Sequence, residues 1–221
     1  MASPLKRVAE AFVGGVGRRT QPSRERIAVT GFFLGTESIL DRMLSRSYFE
    51  MSNWAWAGYE ADEGHHLSFR MGLARVPLPP SVVVDLGTGA GGTAAQMARM
   101  WPDARVTGID SSRQMVRLAR RRHGDVSNLT FSVGDGLHLA LAEAAVELVT
   151  SLNYMPFPSE VRRILRPGGR ALVASTFQAV GSKAVAAHWE GHGFVLEAQD
   201  DAAIGSFELY RRVDLATELG D

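Results

Sequence analysis

The sequence lacks cysteine altogether, which excludes a disulfide-stapled scaffold, a thiolate metal site and a cysteine nucleophile. An excess of charge of either sign is also missing, because 24 basic side chains balance 24 acidic ones in the 221 residues. Proteins that bind nucleic acid need Lys and Arg to replace the counterions on phosphates. We therefore do not expect a nucleic acid as the general partner.

Long hydrophobic runs are absent too, and no apolar run reaches the ~18–20 residues that a membrane span needs. The N-terminus has no apolar secretory core; Ser3 and Pro4 instead start a capped amphipathic helix. A mitochondrial transit peptide is the alternative, although Glu10 and Glu25 count against it. The expectation is a cytoplasmic protein with no membrane partner.

A proline cluster, residues 77–80, divides the sequence into two parts with different hydrophobic patterns. Three prolines in four residues cannot continue a helix. Residues 1–80 show helical patterns and loops without strand-like alternation. We therefore expect an N-terminal helical cap over 1–80 and a second domain over 81–221.

The second part alternates short apolar runs with helical patterns, which predicts a parallel sheet with helices on both faces. The five predicted strands are 82–86, 105–109, 129–133, 146–151 and 171–175. The predicted helices lie near 91–100, 112–122, 138–144, 158–165 and 180–190. Two final strands, 194–199 and 206–211, have too short a connection for a parallel crossover and predict an antiparallel hairpin.

A glycine-rich turn follows the first strand and contains the spacing Gly87-x-Gly89-x-x-Gly92. Without a Cβ, the backbone can approach a ligand closely at the start of the next helix. The spacing matches the dinucleotide-binding fingerprint, which by itself is a weak signal. It leaves a nicotinamide-dependent oxidoreductase and a ligand-free tight turn as alternatives.

Three acidic residues narrow the choice of ligand. Asp85 precedes the glycines, Asp110 ends the second strand, and Asp135 follows the third. The carboxyl ends of parallel strands share one edge of a sheet, so these carboxylates should surround one pocket. They would repel two phosphates and suit a cationic ligand that has none.

On these motifs the sequence resembles the class I S-adenosylmethionine-dependent methyltransferase superfamily over roughly 81–212. The stretches that carry the resemblance are Val84–Gly91, Thr107–Ser112, Ser132–Gly136, and Ile164–Arg170 before the fifth strand. The terminal antiparallel hairpin matches as well. The resemblance implies a Rossmann-like, mostly parallel seven-stranded sheet and S-adenosyl-L-methionine as the cofactor.

The resemblance also implies roles for individual residues. Asp110 would bind the ribose hydroxyls, Asp135 the adenine amino group, and Asp85 the cofactor ammonium, directly or through water. The other implied cofactor residues lie in the loops beside these acids: Gly87, Thr88, Gly89, Ser111, Met115, Gly136, Leu137, Ser151, Leu152 and Asn153.

The acceptor would lie where the cap covers the carboxyl ends of the strands. Tyr59, in an aromatic-rich stretch of the cap, is expected to reach the cofactor carboxylate. His65 and Tyr154 are the candidate catalytic residues, with an ordinary surface or core role as the alternative. No residue spacing supports a metal site strongly enough to predict one.

The predicted function is methyl transfer to an O, N or C nucleophile of a small hydrophobic or aromatic metabolite, in the manner of secondary metabolism. Two alternatives stay open: a cyclase-like protein that binds the cofactor without transferring its methyl group, and an RNA or protein methyltransferase. The arginines of 113–122 are expected to form a solvated helix face rather than an RNA footprint. A homodimer remains open.

Overall fold

The computed structural model describes residues 66–176, 183–201 and 205–214. The predicted cap up to residue 65, including Tyr59 and His65, lies outside these residues.

Helices and strands alternate along the described chain, as the sequence predicts for most of its length. The strands are β1 (Val82–Leu86), β2 (Arg105–Asp110), β3 (Leu129–Val133), β4 (Val146–Leu152), β5 (Leu165–Ser175), β6 (Phe194–Asp201) and β7 (Ser206–Arg212). The helices are α1 (Leu67–Leu73), α2 (Gly92–Met100), α3 (Arg113–His123), α4 (Pro158–Ile164) and α5 (Lys183–Glu190).

The described strands form one seven-stranded sheet in the order β3-β2-β1-β4-β5-β7-β6. Strands β1 to β5 are parallel, whereas β7 pairs antiparallel with both β5 and β6. This confirms the predicted Rossmann-like α/β class with its terminal hairpin. The chain leaves β1 towards β2 on one side and returns to β4 on the other, which makes a ligand crevice at the carboxyl ends of β1 and β4.

The core lies on both faces of the sheet, because successive strand residues point to opposite sides. Val83 belongs to a buried cluster with residues of α1, α2 and α3. Its neighbours Val84 and Leu86 belong to a second cluster with residues of α4 and α5. This double burial explains the unbroken apolar run Val82–Val84, which Asp85 ends within β1.

Helix α1 joins the end of the predicted cap to the sheet. A Cβ at Gly72 would overlap Leu172 and lie 3.1 Å from the Phe207 ring, so the helix backbone packs directly on β5 and β7. The Ser68 hydroxyl donates to the carbonyl of Ser175 at 3.0 Å. The sequence predicts a longer helix, roughly 63–75, of which the described part is Leu67–Leu73.

The helix predicted near 138–144 is wrong, because the structure has turns there. Side chains of α4 bind backbone groups of this stretch, including two carbonyls that a helix would have paired internally. Glu160 accepts from the Leu139 amide at 2.7 Å. Arg163 donates to the carbonyls of Leu139 at 2.9 Å and Leu141 at 2.8 Å. These tertiary bonds outweigh the helical propensity of the alanine-rich stretch.

Candidate functional site

The glycine loop connects β1 to α2 at the carboxyl edge of the sheet. Gly87, Gly89 and Gly91 have φ values of 68°, 56° and 88°, a region that disfavours residues with a Cβ. The amides of Gly87 and Thr88 donate to the Ile109 carbonyl at 2.9 and 3.1 Å. The loop is therefore fastened to the end of β2, beside Asp110.

Asp110 ends β2 and is held by backbone donors on both of its oxygens. Oδ2 accepts from the Gly89 amide at 2.9 Å, and Oδ1 accepts from the Ser112 amide at 2.8 Å. Burial raises the pKa of this carboxyl, while the Ser112 and Gly89 amides oppose the rise. Each oxygen keeps a further lone pair, so the fixed carboxylate can accept two more hydroxyl donors.

Asp85 lies beneath the glycine loop rather than at its surface, with 1% of its area exposed. The hydroxyls of Thr93 and Thr150 each donate to one of its oxygens at 2.7 Å. Burial raises the pKa of this carboxyl, and the two threonine hydroxyls work against the rise. Asp85 thus ties β1 to α2 and β4, whereas the sequence suggests contact with the cofactor ammonium. No sequence motif pointed to either threonine.

The loop after β3 brings Asp135 to the same edge. Asp135 is exposed, and its Oδ1 accepts from the Leu137 amide at 3.0 Å in a tight turn around Gly136. The Gly134 amide donates to the Asp110 carbonyl at 3.1 Å, which links this loop to the end of β2. Asp110 and Asp135 therefore lie in adjacent loops at the carboxyl edge of the sheet, and their sharing of one pocket stays a prediction.

The start of α3 forms another border of the crevice. Ser112 caps this helix, because its Oγ accepts from the Met115 amide at 3.4 Å. Met115 is buried, with 5% exposed, and Ser111 is exposed. Ser112 was not among the predicted site residues, although a serine before a helical pattern is the usual signal for a cap.

Two of the predicted cofactor residues lie at the end of β4, Ser151 within the strand and Asn153 just after it. Asn153 adopts a φ of 59°, and its Oδ1 accepts from the Thr176 amide at 2.9 Å and hydroxyl at 3.1 Å. The Asn153 side chain therefore connects the ends of β4 and β5. Ser151 is fully buried, and its hydroxyl has no hydrogen-bond partner among the groups described around it.

Tyr154 lies across the crevice. A Cβ at Gly87 would come within 2.8 Å of the Tyr154 Cβ, and a Cβ at Gly136 would overlap its hydroxyl. Burial raises the pKa of the phenol, and the negative charges of Asp135 and Asp110 add to the rise. The ring thus lies over a cradle formed by the backbone of Gly87 and Gly136, which have no Cβ atoms, close to the carboxylates of Asp110 and Asp135. A cradle of this shape fits an adenosine group, whose flat base and ribose hydroxyls need that space and those acceptors.

His66 is a residue of this region that the sequence did not single out. A Cβ at Gly92, the first residue of α2, would lie 3.1 Å from its Cε1. Burial lowers the pKa of His66, and the nearby Arg70 lowers it further. The neighbouring His65, which the sequence favoured as a catalytic group, lies outside the described residues.

Three further residues with ionisable side chains, His188, His192 and Glu147, contact other groups of the protein. His192 Nδ1 lies 2.8 Å from the His188 carbonyl oxygen, and the two rings are in edge contact. Glu147 accepts from the Ser81 amide at 2.8 Å and pairs with Arg166 at 3.1 Å. Within 66–176, 183–201 and 205–214, no three His, Asp or Glu residues group as metal ligands. No helix in these ranges is long and apolar enough to cross a membrane.

Part of the described chain is similar to known proteins. Residues 83–169 match the protein-family model described as a methyltransferase domain. The arsenite methyltransferase of Halobacterium salinarum is 32% identical over 140 residues, or 55% of this chain and 36% of that protein. The 23S rRNA (guanine(748)-N(1))-methyltransferase of Streptomyces fradiae is 38% identical over 99 residues, or 45% of this chain and 35% of that protein. The match therefore spans little more than a third of each relative.

Solved structures share the fold at low sequence identity. The methyltransferase in complex with the Trm112 activator of Haloferax volcanii superposes with a TM-score of 0.67 at 20% identity, covering 75% of this chain and 98% of that one. The (4+2)-cyclase SpnF superposes with a TM-score of 0.58 at 16% identity, covering 67% and 80%. The fold alone therefore accommodates both kinds of protein.

The strand order, the glycine loop with its flanking acids and the family match define an α/β protein of the Rossmann-like methyltransferase class. Residues 83–169 match a methyltransferase domain, and in sequence and fold the chain is similar to S-adenosylmethionine-dependent methyltransferases. The cofactor of this family is S-adenosyl-L-methionine.

Proposed function

We propose that this chain transfers the methyl group of S-adenosyl-L-methionine to an O, N or C nucleophile of a small hydrophobic or aromatic metabolite. The cofactor supplies an electrophilic methyl group on a sulfonium, which the acceptor displaces in line. The protein has to hold the two reactants in alignment and exclude water, and alignment supplies much of the rate. Residues 1–80 would close the pocket as a cap.

The observation that carries the proposal is the position of Asp110. Its two oxygens are fixed by the amides of Gly89 and Ser112 beside a loop of positive-φ glycines. Charge-assisted hydrogen bonds to a preoriented carboxylate are strong, and two adjacent ribose hydroxyls match its two free acceptor positions. Asp135 faces the same crevice and would accept from the adenine amino group.

The remaining residues would support this arrangement from around it. Gly87, Thr88 and Gly89 would pass beneath the methionine and ribose parts, with Asp85 supporting the loop from below. Ser111, Met115, Gly136 and Leu137 border the place proposed for the adenine. Tyr59 for the cofactor carboxylate and His65 as a general base remain proposals for the cap.

Two observations favour a small-molecule acceptor: the net charge of the sequence and the similarity to a relative named for a small molecule. The sequence has no net charge, and the relative from Halobacterium salinarum is named for methylation of arsenite. Incubating the full chain with methyl-labelled S-adenosyl-L-methionine and a panel of phenols, amines and quinone-like compounds tests the proposal. Label should appear in at least one extractable product. Cofactor binding without transfer to any acceptor class would favour the cyclase-like alternative.

An RNA acceptor is the second candidate, because the Streptomyces fradiae relative acts on rRNA and α3 exposes several arginines. Arg113, Arg117 and Arg121 are all exposed on this helix. Binding of RNA through such a surface should weaken steeply with salt. Filter binding of ribosomal RNA between about 50 and about 200 mM salt therefore separates the two acceptors. We expect no salt-dependent complex.

A further inference from the structure

Tyr154 occupies the space that the proposed function assigns to the cofactor. Its ring starts above Gly87, the first residue of the glycine loop, and its hydroxyl reaches Gly136 in the loop after β3. The side chain therefore crosses from β4 to the loops that carry Asp110 and Asp135. An adenosine group bound to those two carboxylates could not share this volume with a phenol ring.

The backbone around Tyr154 is fixed on both sides. Asn153 holds a left-handed conformation, for which asparagine is better suited than most residues, and its side chain binds Thr176. Met155 and Phe157 are buried, with 3% and 8% exposed, and Pro156 and Pro158 restrict the chain between and after them. Movement at this point is therefore most easily a rotation of the Tyr154 side chain, while the segment stays in place.

Tyr154 differs in burial from Met155 and Phe157, which follow it. It is only partly buried and packs at the margin of the cluster formed by β1, β4, α4 and α5. A partly exposed ring loses less apolar contact when it rotates than a fully buried one does. The surrounding glycines have no side chains to hold it.

We propose that Tyr154 closes the adenosine part of the cofactor site in the free chain and swings out when the cofactor binds. This inference rests on the proposed function, because it requires that the crevice is the cofactor site. Tyr154 then acts as a gate on a rigid support, and the sequence-based expectation of a catalytic role is replaced by one in cofactor entry. A site that is closed in about nine of ten molecules would raise the apparent Kd about tenfold.

Stopped-flow and calorimetric titrations with S-adenosylhomocysteine test the gate, using the full chain and two variants. Tyr154→Ala should bind faster and about five- to tenfold more tightly, because nothing has to leave the site. Tyr154→Phe should bind like the unmodified chain, because the ring rather than the hydroxyl fills the space. Urea unfolding of each free variant verifies that it is folded.

A second measurement follows the ring itself. The chain has four tyrosines, so 3-fluorotyrosine labelling should give four fluorine resonances, and the one missing in Tyr154→Phe belongs to Tyr154. Saturating S-adenosylhomocysteine should move that resonance towards the position of an exposed tyrosine.

The outcomes separate the gate from the proposed function. Binding by the unmodified chain, with Tyr154→Ala binding equally or more weakly, would overturn the gate and leave the function standing. An unmoved Tyr154 resonance at saturation would also overturn the gate. Absence of binding in all three proteins would overturn both.

Discussion

At the residue scale, the proposed cofactor site depends on two carboxylates with opposite surroundings. Asp110 stands at the crevice with backbone donors and open acceptor positions. Asp85 is enclosed below the loop and uses its oxygens for threonine hydroxyls. One is therefore placed to bind a ligand and the other to hold the loop that surrounds it.

Replacing Asp110 by alanine should weaken binding of S-adenosylhomocysteine by more than about tenfold, or roughly 1.4 kcal/mol, because charge-assisted hydrogen bonds to the ribose are lost. Calorimetric titration measures the change. Asp103→Ala is the matched control, since it removes the same charge from an exposed turn between α2 and β2. A Kd for Asp110→Ala equal to that of the control would contradict the placement of the ribose.

Replacing Asp85 by alanine should cost about 2–4 kcal/mol of unfolding free energy, because the Thr93 and Thr150 hydroxyls lose a buried partner. Asp85→Asn should cost less, since the amide retains hydrogen-bonding groups of the same shape. Urea unfolding at neutral pH compares the two. An alanine variant as stable as the asparagine variant would show that the threonine bonds contribute little.

The pKa of Asp85 also sets a pH dependence. Because folding raises this pKa, the folded chain binds the proton more tightly than the unfolded chain. The stability from this carboxyl is thus complete below the ordinary value of 3.8 and is lost as pH rises through the folded pKa. Relative to Asp85→Asn, the unmodified chain should lose unfolding free energy as the pH rises above the ordinary value of 3.8. A difference that stays constant would contradict a raised pKa.

At the element scale, the loops after β1, β3 and β4 owe their shapes to different causes. Backbone conformation determines the glycine loop, a tight turn determines the loop around Gly136, and side-chain braces determine the segments beside α4. The first cause is visible in the sequence as glycine spacing. The last depends on residues that are distant along the chain.

Gly87→Ala and Gly168→Ala form a matched pair that separates backbone strain from site geometry. Both glycines have positive φ, 68° and 74°, so each alanine should cost about 1–2 kcal/mol of unfolding free energy. A Cβ at Gly168 has open space around it, whereas one at Gly87 meets Tyr154 at 2.8 Å. Because Gly87 is proposed to pass beneath the methionine part of the cofactor, a Cβ there should weaken S-adenosylhomocysteine binding in Gly87→Ala alone. Equal affinities of the two variants would place the ligand away from this loop.

The brace between α4 and the 139–141 turn should be sensitive to Glu160. Hydrogen bonds from Arg163 lower the pKa of this carboxyl, and burial opposes them. The stability it contributes is therefore present above the ordinary value of 4.5 and lost as pH falls through the folded pKa. Glu160→Gln should cost about 1–3 kcal/mol at neutral pH in urea unfolding, with a smaller difference in acid.

Glu147→Gln is the comparison for this brace, because Glu147 pairs with an Arg166 side chain that is 56% exposed. An exposed pair contributes about 0–1 kcal/mol, so this variant should lose less stability than Glu160→Gln. The reverse order would mean that the turn does not depend on α4.

The sequence predicts correctly those helices and strands that are determined by residues within the same segment. The bounds of β1 and β3 were predicted without error, and those of β2, α2 and α3 to within one residue, since apolar runs and glycines mark them. The helix near 138–144 failed because Glu160 and Arg163 supply its hydrogen-bond partners from another element. The positions of Thr93, Thr150 and Thr176 were not predictable, because each binds an acid or amide from a different strand.

At the scale of the whole molecule, one edge of the sheet gathers the features that the function needs. Asp110, which ends β2, and Asp135, which follows β3, lie there, and the reversal of strand order opens the crevice between β1 and β4. The basic and acidic residues balance over the full sequence, so the local concentration of carboxylates is not a consequence of an acidic protein. It instead favours a ligand with positive charge and no phosphate.

The choice between a sulfonium cofactor and a dinucleotide is the central claim, and parallel calorimetric titrations of the full chain decide it. We expect saturable one-to-one binding of S-adenosylhomocysteine and no binding of NADH. Tight binding of NADH with no binding of S-adenosylhomocysteine would contradict the account.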